Sequence, residues 1–265
     1  MRCATRIWMV VLVTTAILAT SGLVFAYPAE DLYDYYQFRF DSGLPGNNWT
    51  VSPEGKAGGA GPAQMAIPIA YTPCAGNYIL DANVGMADSG LTLGWHGDKI
   101  NGTLNPAFGL GKPGNGIYLA YTLTGDKGEP SYNWQWQILA EEGSKPAVAI
   151  GGMDMSNQRA ATQHRPLSGE ARSFYAVATK QVSADRHPTY ATVGLGTGRF
   201  KGPFAGVCTR FHPRATVAAE YDTLGVNANI TYAFRDPQED HNFTMVLGVA
   251  DLGYWSYGLT YTRSR

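Results

Sequence analysis

Charge is what this sequence has least of. Only 15% of its 265 residues are Asp, Glu, Lys or Arg, against about 25% in ordinary globular domains. With 20 basic and 21 acidic residues the formal net charge is −1. No basic surplus is left to follow a phosphate backbone, which excludes nucleic acid as a partner. Three cysteines without a CxxC or zinc spacing exclude a disulfide-dense scaffold and a thiolate metal centre. Beyond the first 30 residues no run of 18 apolar residues occurs, so no later transmembrane helix is expected. Nothing keeps a 3.6-residue period for more than two turns, which excludes a helical bundle. What is abundant is Gly (32), Tyr (16), Phe (10) and Trp (6). Without a collagen period, that composition reads as many turns and strands rich in small residues. An exported β-protein remains, either soluble or embedded in a membrane.

Export is read from residues 1–26. Arg2 and Arg6 form a positive start, Ile7 to Leu23 is apolar, and Val24-Phe25-Ala26 offers small residues for cleavage before Tyr27-Pro28, the pattern of a secretory signal. Cys3 lies ahead of the apolar run and is not placed for lipidation. Cleavage there takes two of the 20 basic residues against 21 acidic ones, a net of −3. Cys74 and Cys208 remain, either as small apolar residues or as a disulfide, which an oxidising compartment allows; the spacing leaves both open.

Residues 27–75 form an irregular N-terminal segment, with an aromatic and acidic stretch (Tyr33 to Phe40, one short strand near 35–40) and a Gly/Pro-rich run from Ser42 to Pro62. Residues 63–72 add an extended piece that Pro68 demotes to an edge or a non-strand. From 76 to 265 the pattern changes to strand-length segments of period two. In 132–140, Trp134, Trp136 and Ile138 oppose Asn133, Gln135 and Gln137. In 225–235, Val226, Ala228, Ile230, Tyr232 and Phe234 oppose Asn227, Asn229, Thr231 and Arg235. In 255–262, Trp255, Tyr257, Leu259 and Tyr261 oppose Ser256, Gly258, Thr260 and Thr262. About twelve strands are expected (10–14), near 77–86, 89–96, 116–124, 132–141, 145–154, 171–181, 189–197, 203–211, 214–222, 225–235, 242–250 and 255–263. Longer loops are expected over 97–115 and 155–170.

A soluble sandwich sets large aliphatics against charged residues. Here the second face is Gly, Ser, Thr, Asn and Gln, and the first ends repeatedly in aromatics. Segments of this length suit a tilted crossing of the hydrocarbon layer, and apolar-out, polar-in alternation is the pattern of a transmembrane barrel. The expected fold is therefore all-β: an antiparallel up-and-down transmembrane β-barrel, residues 76–265, with residues 27–75 placed to plug or cap it. The lipid bilayer of a cell outer membrane is its expected partner and location. Trp134, Trp136, Tyr232, Phe234, Trp255, Tyr257 and Tyr261 are the expected lipid-facing aromatics. A terminal aromatic is usual in such barrels; this chain ends Tyr261-Thr262-Arg263-Ser264-Arg265, with Tyr261 set back by a short overhang. The alternative is a secreted soluble β-sandwich or barrel that binds carbohydrate on exposed Trp and Tyr.

The C-terminal half carries an ordered series: K-P-A-V-A-I-G-G-M-D (Lys145 to Asp154), S-F-Y-A-V-A-T-K (Ser173 to Lys180), T-V-G-L-G-T-G-R-F (Thr192 to Phe200), F-A-G-V (Phe204 to Val207), A-E-Y-D (Ala219 to Asp222) with G-V-N-A (Gly225 to Ala228), and G-V-A-D-L (Gly248 to Leu252). Over Lys145 to Tyr261 the chain resembles the YjbH-like family of bacterial proteins. That resemblance implies an outer-membrane barrel tied to exopolysaccharide production, with polysaccharide or export-system proteins as partners. It implies no catalytic residues.

Where charges are scarce, the few near strands stand out. Asp154, Lys180, Arg199, Glu220, Asp222, Arg235 and Asp251 are the candidates for a barrel interior, where they would pair or line a water-filled path. Arg199, Asp222, Arg235 and Asp251 equally suit turns at the rim. Lys180 and Glu220 lie within strands and are expected to belong to one lumenal ion-pair network. No G-x-S-x-G occurs and no two of the five histidines are at metal-ligand spacing. Gly194 to Gly198 lacks the G-K-[ST] ending of a phosphate loop. Catalysis, a metal and a cofactor are therefore not expected.

Overall fold

The computed structural model describes residues 43–85, 101–124, 129–157, 172–250 and 254–265. Twelve strands run in chain order: β1 (Tyr78–Gly85), β2 (Asn101–Lys112), β3 (Asn115–Thr124), β4 (Glu129–Leu139), β5 (Ala147–Met153), β6 (Ser173–Ser183), β7 (Thr189–Gly196), β8 (Gly202–His212), β9 (Ala215–Tyr221), β10 (Val226–Ala233), β11 (His241–Ala250) and β12 (Tyr254–Arg263). Each pairs antiparallel with its sequence neighbours. β1 closes on β12 with Tyr78 opposite Arg263 and Val84 opposite Tyr257. Closure leaves no strand edge unpaired, the condition a sheet must meet where water is absent.

Side-chain alternation sets the inside and the outside. On β4, Ser131, Asn133, Gln135 and Gln137 are buried, while Tyr132 and Trp136 are exposed. On β12, Ser256, Thr260 and Thr262 are buried, while Trp255 and Leu259 point out. Large apolar side chains are exposed on the outside of every strand except β5, whose outward Val148 and Ile150 are half-buried. The polar face is therefore the buried one and the apolar face the exposed one, the reverse of a soluble protein.

Ten of the expected strands fall on β1 and β3 to β11, and the last on β12. The expectation of a loop over 97–115 is corrected: residues 101–112 are β2. Leu104, Phe108 and Leu110 alternate there with Thr103, Asn105 and Ala107. Pro106 and three glycines disguise the alternation. β2 nonetheless holds β1 through Asn101 to Phe108, while its register with β3 skips Asn105 and Pro106. A residue without an N–H leaves such a gap in the ladder. The expected strands at 35–40 and 89–96 lie outside the described residues.

The connectors differ at the two ends. Residues 113–114, 140–146, 184–188, 213–214 and 234–240 turn at one end, called here the short-turn end. The opposite end is where β1, β3, β5, β7, β9 and β11 finish. There the 3-10 turn Gly198–Phe200, between β7 and β8, meets the β9–β10 turn. Arg199 donates from Nη2 to Asp222 Oδ2 and from Nη1 to the Asp222 carbonyl, both at 2.6 Å, with side-chain exposures of 3% and 0%. Asp222 Oδ1 also accepts from the amides of Leu224 and Gly225. Arg199→Ala leaves that carboxylate buried and uncompensated. A loss of about 3 kcal/mol or more in unfolding free energy is expected, with much of it restored when Asp222→Asn is added, as read by denaturant unfolding in micelles.

Candidate functional site

The site is the lumen, and the chain fills it with its own residues. Eight-stranded barrels are filled by wall side chains, whereas barrels of 16 or more strands leave an aqueous channel. Twelve strands enclose a space between these limits. Many inward positions here are small: Gly109, Gly116, Ala120, Ala147, Ala149, Gly151, Gly206, Ala218, Gly248 and Gly258. The room they leave is taken by residues 43–75.

This segment crosses the lumen three times. Gly43 accepts from the Tyr118 hydroxyl at 3.1 Å. The chain then runs to the short-turn end, where the Ala57 amide donates to Asn77 Oδ1 and Lys56 Nζ to the Gln238 carbonyl. It turns back past Cys208, whose sulfur accepts from the Ala63 amide, and reaches Glu220. Both Glu220 carboxylate oxygens accept backbone amides there, Met65 at 2.9 Å and Ala66 at 2.6 Å, while Asn227 donates a third bond. The chain descends again: the Ala70 amide donates to Thr179, the Thr72 amide to Gln137, and Gln135 Nε2 to the Ile69 carbonyl. Tyr71 finally donates its hydroxyl to Glu141 at the short-turn rim. Burial and the Glu141 charge hold that phenol protonated well above the usual tyrosine range.

The inward amides and hydroxyls thus satisfy the backbone of an irregular segment, whose own ladder is nearly absent. A buried loop without such partners would be prohibitively costly. Apolar contacts add to the hold. Leu44, Trp49, Val51, Met65, Ile67, Ile69 and Tyr71 are each at most 1% exposed. At 1.5 kcal/mol or more per fully buried side chain, they contribute on the order of 10 kcal/mol, too much for spontaneous exit to matter. Trp49 packs on Tyr118 and Tyr71 on Tyr190, both at 6.1 Å between ring centroids.

Close approach of plug to wall depends on glycine. A Cβ built on Gly116 would sit 2.5 Å from the Thr72 carbonyl oxygen and 2.7 Å from that of Pro73. Gly116→Val is expected to force the 72–73 stretch off the wall, costing about 1–3 kcal/mol. Earlier thermal unfolding and faster limited proteolysis within the segment would report it.

The lumen charges need one correction. Glu220 is inside and buried, but its partners are the plug amides and Asn227, not Lys180. Lys180 lies on the outward register of β6 near the short-turn rim, where it donates to Glu141 Oε1 at 3.0 Å and to the Gly143 carbonyl. Lys180 and Glu220 therefore form no common network. Arg199 and Asp222 join two connectors, as described above. Asp154 is buried in the turn after β5, its amide bonded to Asn133 Oδ1. Arg235 is exposed and pairs with Glu239. Asp251 lies outside the described residues. Trp134, Trp136, Tyr232, Phe234, Trp255, Tyr257 and Tyr261 all take the outward register. Cys74 and Cys208 are both free.

Asp81 is the lumenal residue that the sequence reading passed over. It faces inward from β1, accepting from Thr260, Asn83 and Asn105. Alternation in Tyr78-Ile79-Leu80-Asp81-Ala82-Asn83-Val84 would have found it: the outward set is apolar and Asp81 falls on the other face.

No family model matches this chain, and no curated protein matches it. Among solved structures it is similar to a KdgM porin, with a TM-score of 0.48 and 10% identity, over 71% of this chain and 99% of that one. It is also similar to the Acinetobacter baumannii outer membrane protein Omp33, with a TM-score of 0.39 and 9% identity, over 71% of this chain and 98% of that one.

Proposed function

We propose that this chain is a bacterial outer-membrane barrel held shut by its own residues 43–75. One observation carries the reading: a closed twelve-stranded wall exposes large apolar side chains around its circumference and buries its polar ones. Water would punish that arrangement and hydrocarbon rewards it. The secreted carbohydrate-binding alternative fits less well, because large apolar side chains are exposed on eleven of the twelve strands, far more of the wall than a sugar site needs. The role is structural or transport-related rather than enzymatic. Following the sequence resemblance over Lys145 to Tyr261, we assign it to the YjbH-like type, supporting production or export of an exopolysaccharide.

Cell fractionation tests the membrane reading. The protein should enter the outer-membrane fraction and migrate differently on a gel with and without heating. Recovery as a detergent-free periplasmic monomer would overturn it. The finer assignment is tested in the source bacterium, where deleting the gene should lower secreted polysaccharide; an unchanged yield would remove it.

A further inference from the structure

Asp81 is the second buried carboxylate of the inner wall, and unlike Glu220 it touches no plug amide. It is 1% exposed. Its partners are all neutral: Thr260 Oγ1 donates to Oδ1 at 2.6 Å, and the side-chain nitrogens of Asn83 and Asn105 donate to Oδ2 at 2.5 and 3.1 Å. Among the described residues no Lys, Arg or His pairs with it. A full negative charge so placed lacks a counter-charge, which is costly in a low-dielectric interior.

The surroundings supply oxygens. Asn83 Oδ1 and Asn105 Oδ1 are buried without any hydrogen-bond partner, on the same two amides that already reach Asp81. Thr244, opposite Thr260 in the β11–β12 register, has an unpartnered hydroxyl as well. Thr103 is bonded to the Asn105 amide at 3.2 Å. Gly43 closes the cluster from the plug side: a Cβ there would lie 2.8 Å from Asn105 Oδ1 and 2.6 Å from Thr122 Oγ1. A half-turn of each amide exchanges nitrogen for oxygen at nearly the same position. Two amide oxygens, the Thr260 hydroxyl and the carboxylate then converge.

We propose that Asp81, Asn83, Asn105 and Thr260 form a binding site for an alkali-metal cation, sodium or potassium, between the inner wall and the plug. Hard oxygen donors without nitrogen or sulfur select a hard cation. One carboxylate balances one positive charge, whereas a divalent ion would leave a net charge buried. The bound ion would tie β1, β2 and β12 together at the seam that closes the barrel.

The test uses the full chain refolded into detergent micelles and melted in sodium, potassium or choline chloride at matched ionic strength. Sodium or potassium should raise the Tm by roughly 5 °C over choline at saturation, and the difference should vanish in Asp81→Asn. Thr260→Val keeps the carboxylate and should raise the half-saturating cation concentration about tenfold, one lost ligand being about 1.4 kcal/mol. It serves as the second variant if Asp81→Asn loses its heat-modifiable gel band. A thallium-soaked crystal should show an anomalous peak beside Asp81. Equal melting in all three salts, or a dependence unchanged in both variants, overturns the site. Stronger stabilisation by calcium than by saturating sodium overturns the monovalent assignment.

Discussion

Deleting residues 43–72 is expected to convert a barrel that passes no current into an open pore. In planar bilayers the intact chain should give a flat trace, and the deletion should give discrete single-channel steps. The wall does not depend on the segment for its closure, because the twelve strands pair with one another and β1 meets β12 directly. What the deletion removes is the content of the lumen. What it exposes is an inner wall of Asn, Gln, Thr and Ser with the carboxylates of Asp81 and Glu220. These two carboxylates outnumber the inward Arg210 of β8 and should make the opened pore prefer cations, seen as a shifted reversal potential in a salt gradient. Glu220→Ala should act in the same direction but more weakly. It takes away the acceptor of the Met65 and Ala66 amides and leaves two buried donors unpaired, while the apolar contacts of the plug persist. Brief, infrequent openings are its expected signature. If the deleted form inserts and remains silent, the segment is not what closes the barrel.

The second large effect lies on the outer wall. Ile230 faces out from the middle of β10, between Val217 of β9 and Leu247 of β11, and is 43% exposed. Ile230→Arg places a charge where the hydrocarbon layer is thickest, expected to cost about 2–4 kcal/mol of folding free energy in lipid vesicles. The same substitution at a soluble protein's surface would be nearly neutral. The contrast therefore separates a membrane wall from a soluble one. Folding is read from the heat-modifiable gel shift over a urea titration. An arginine at Asn229, one residue along and facing the lumen, should instead disturb the packing of the plug.

The legible part of this protein follows from a period of two. Trp134, Trp136 and Ile138 against Asn133, Gln135 and Gln137 admit one register, because a slip by one residue exchanges every face. That arithmetic placed eleven strands near their positions and assigned the outward aromatics to the outward face. It failed at β2 for a local reason, since Pro106 and the glycines around it hide the alternation that the pairing with β1 enforces. It failed at Lys180 for a geometric one. Lying within a strand does not say which face a residue takes, and Lys180 takes the outward register at a rim where Glu141 and water can reach its ammonium group.

The sequence by itself determined the wall: few charges, alternating faces and strand-length segments leave little else for residues 76–265 to form. It also marked residues 27–75 as irregular, because the glycines and prolines from Ser42 to Pro62 deny that stretch a ladder of its own. Only the tertiary structure decided where that stretch goes and what it does to the lumen. A segment without secondary structure must find hydrogen-bond partners wherever they stand, and here they stand on strands as distant as β4, β6 and β9. No local pattern reports that Glu220 meets Met65 and Ala66, because the contact exists only once the barrel has closed around the segment.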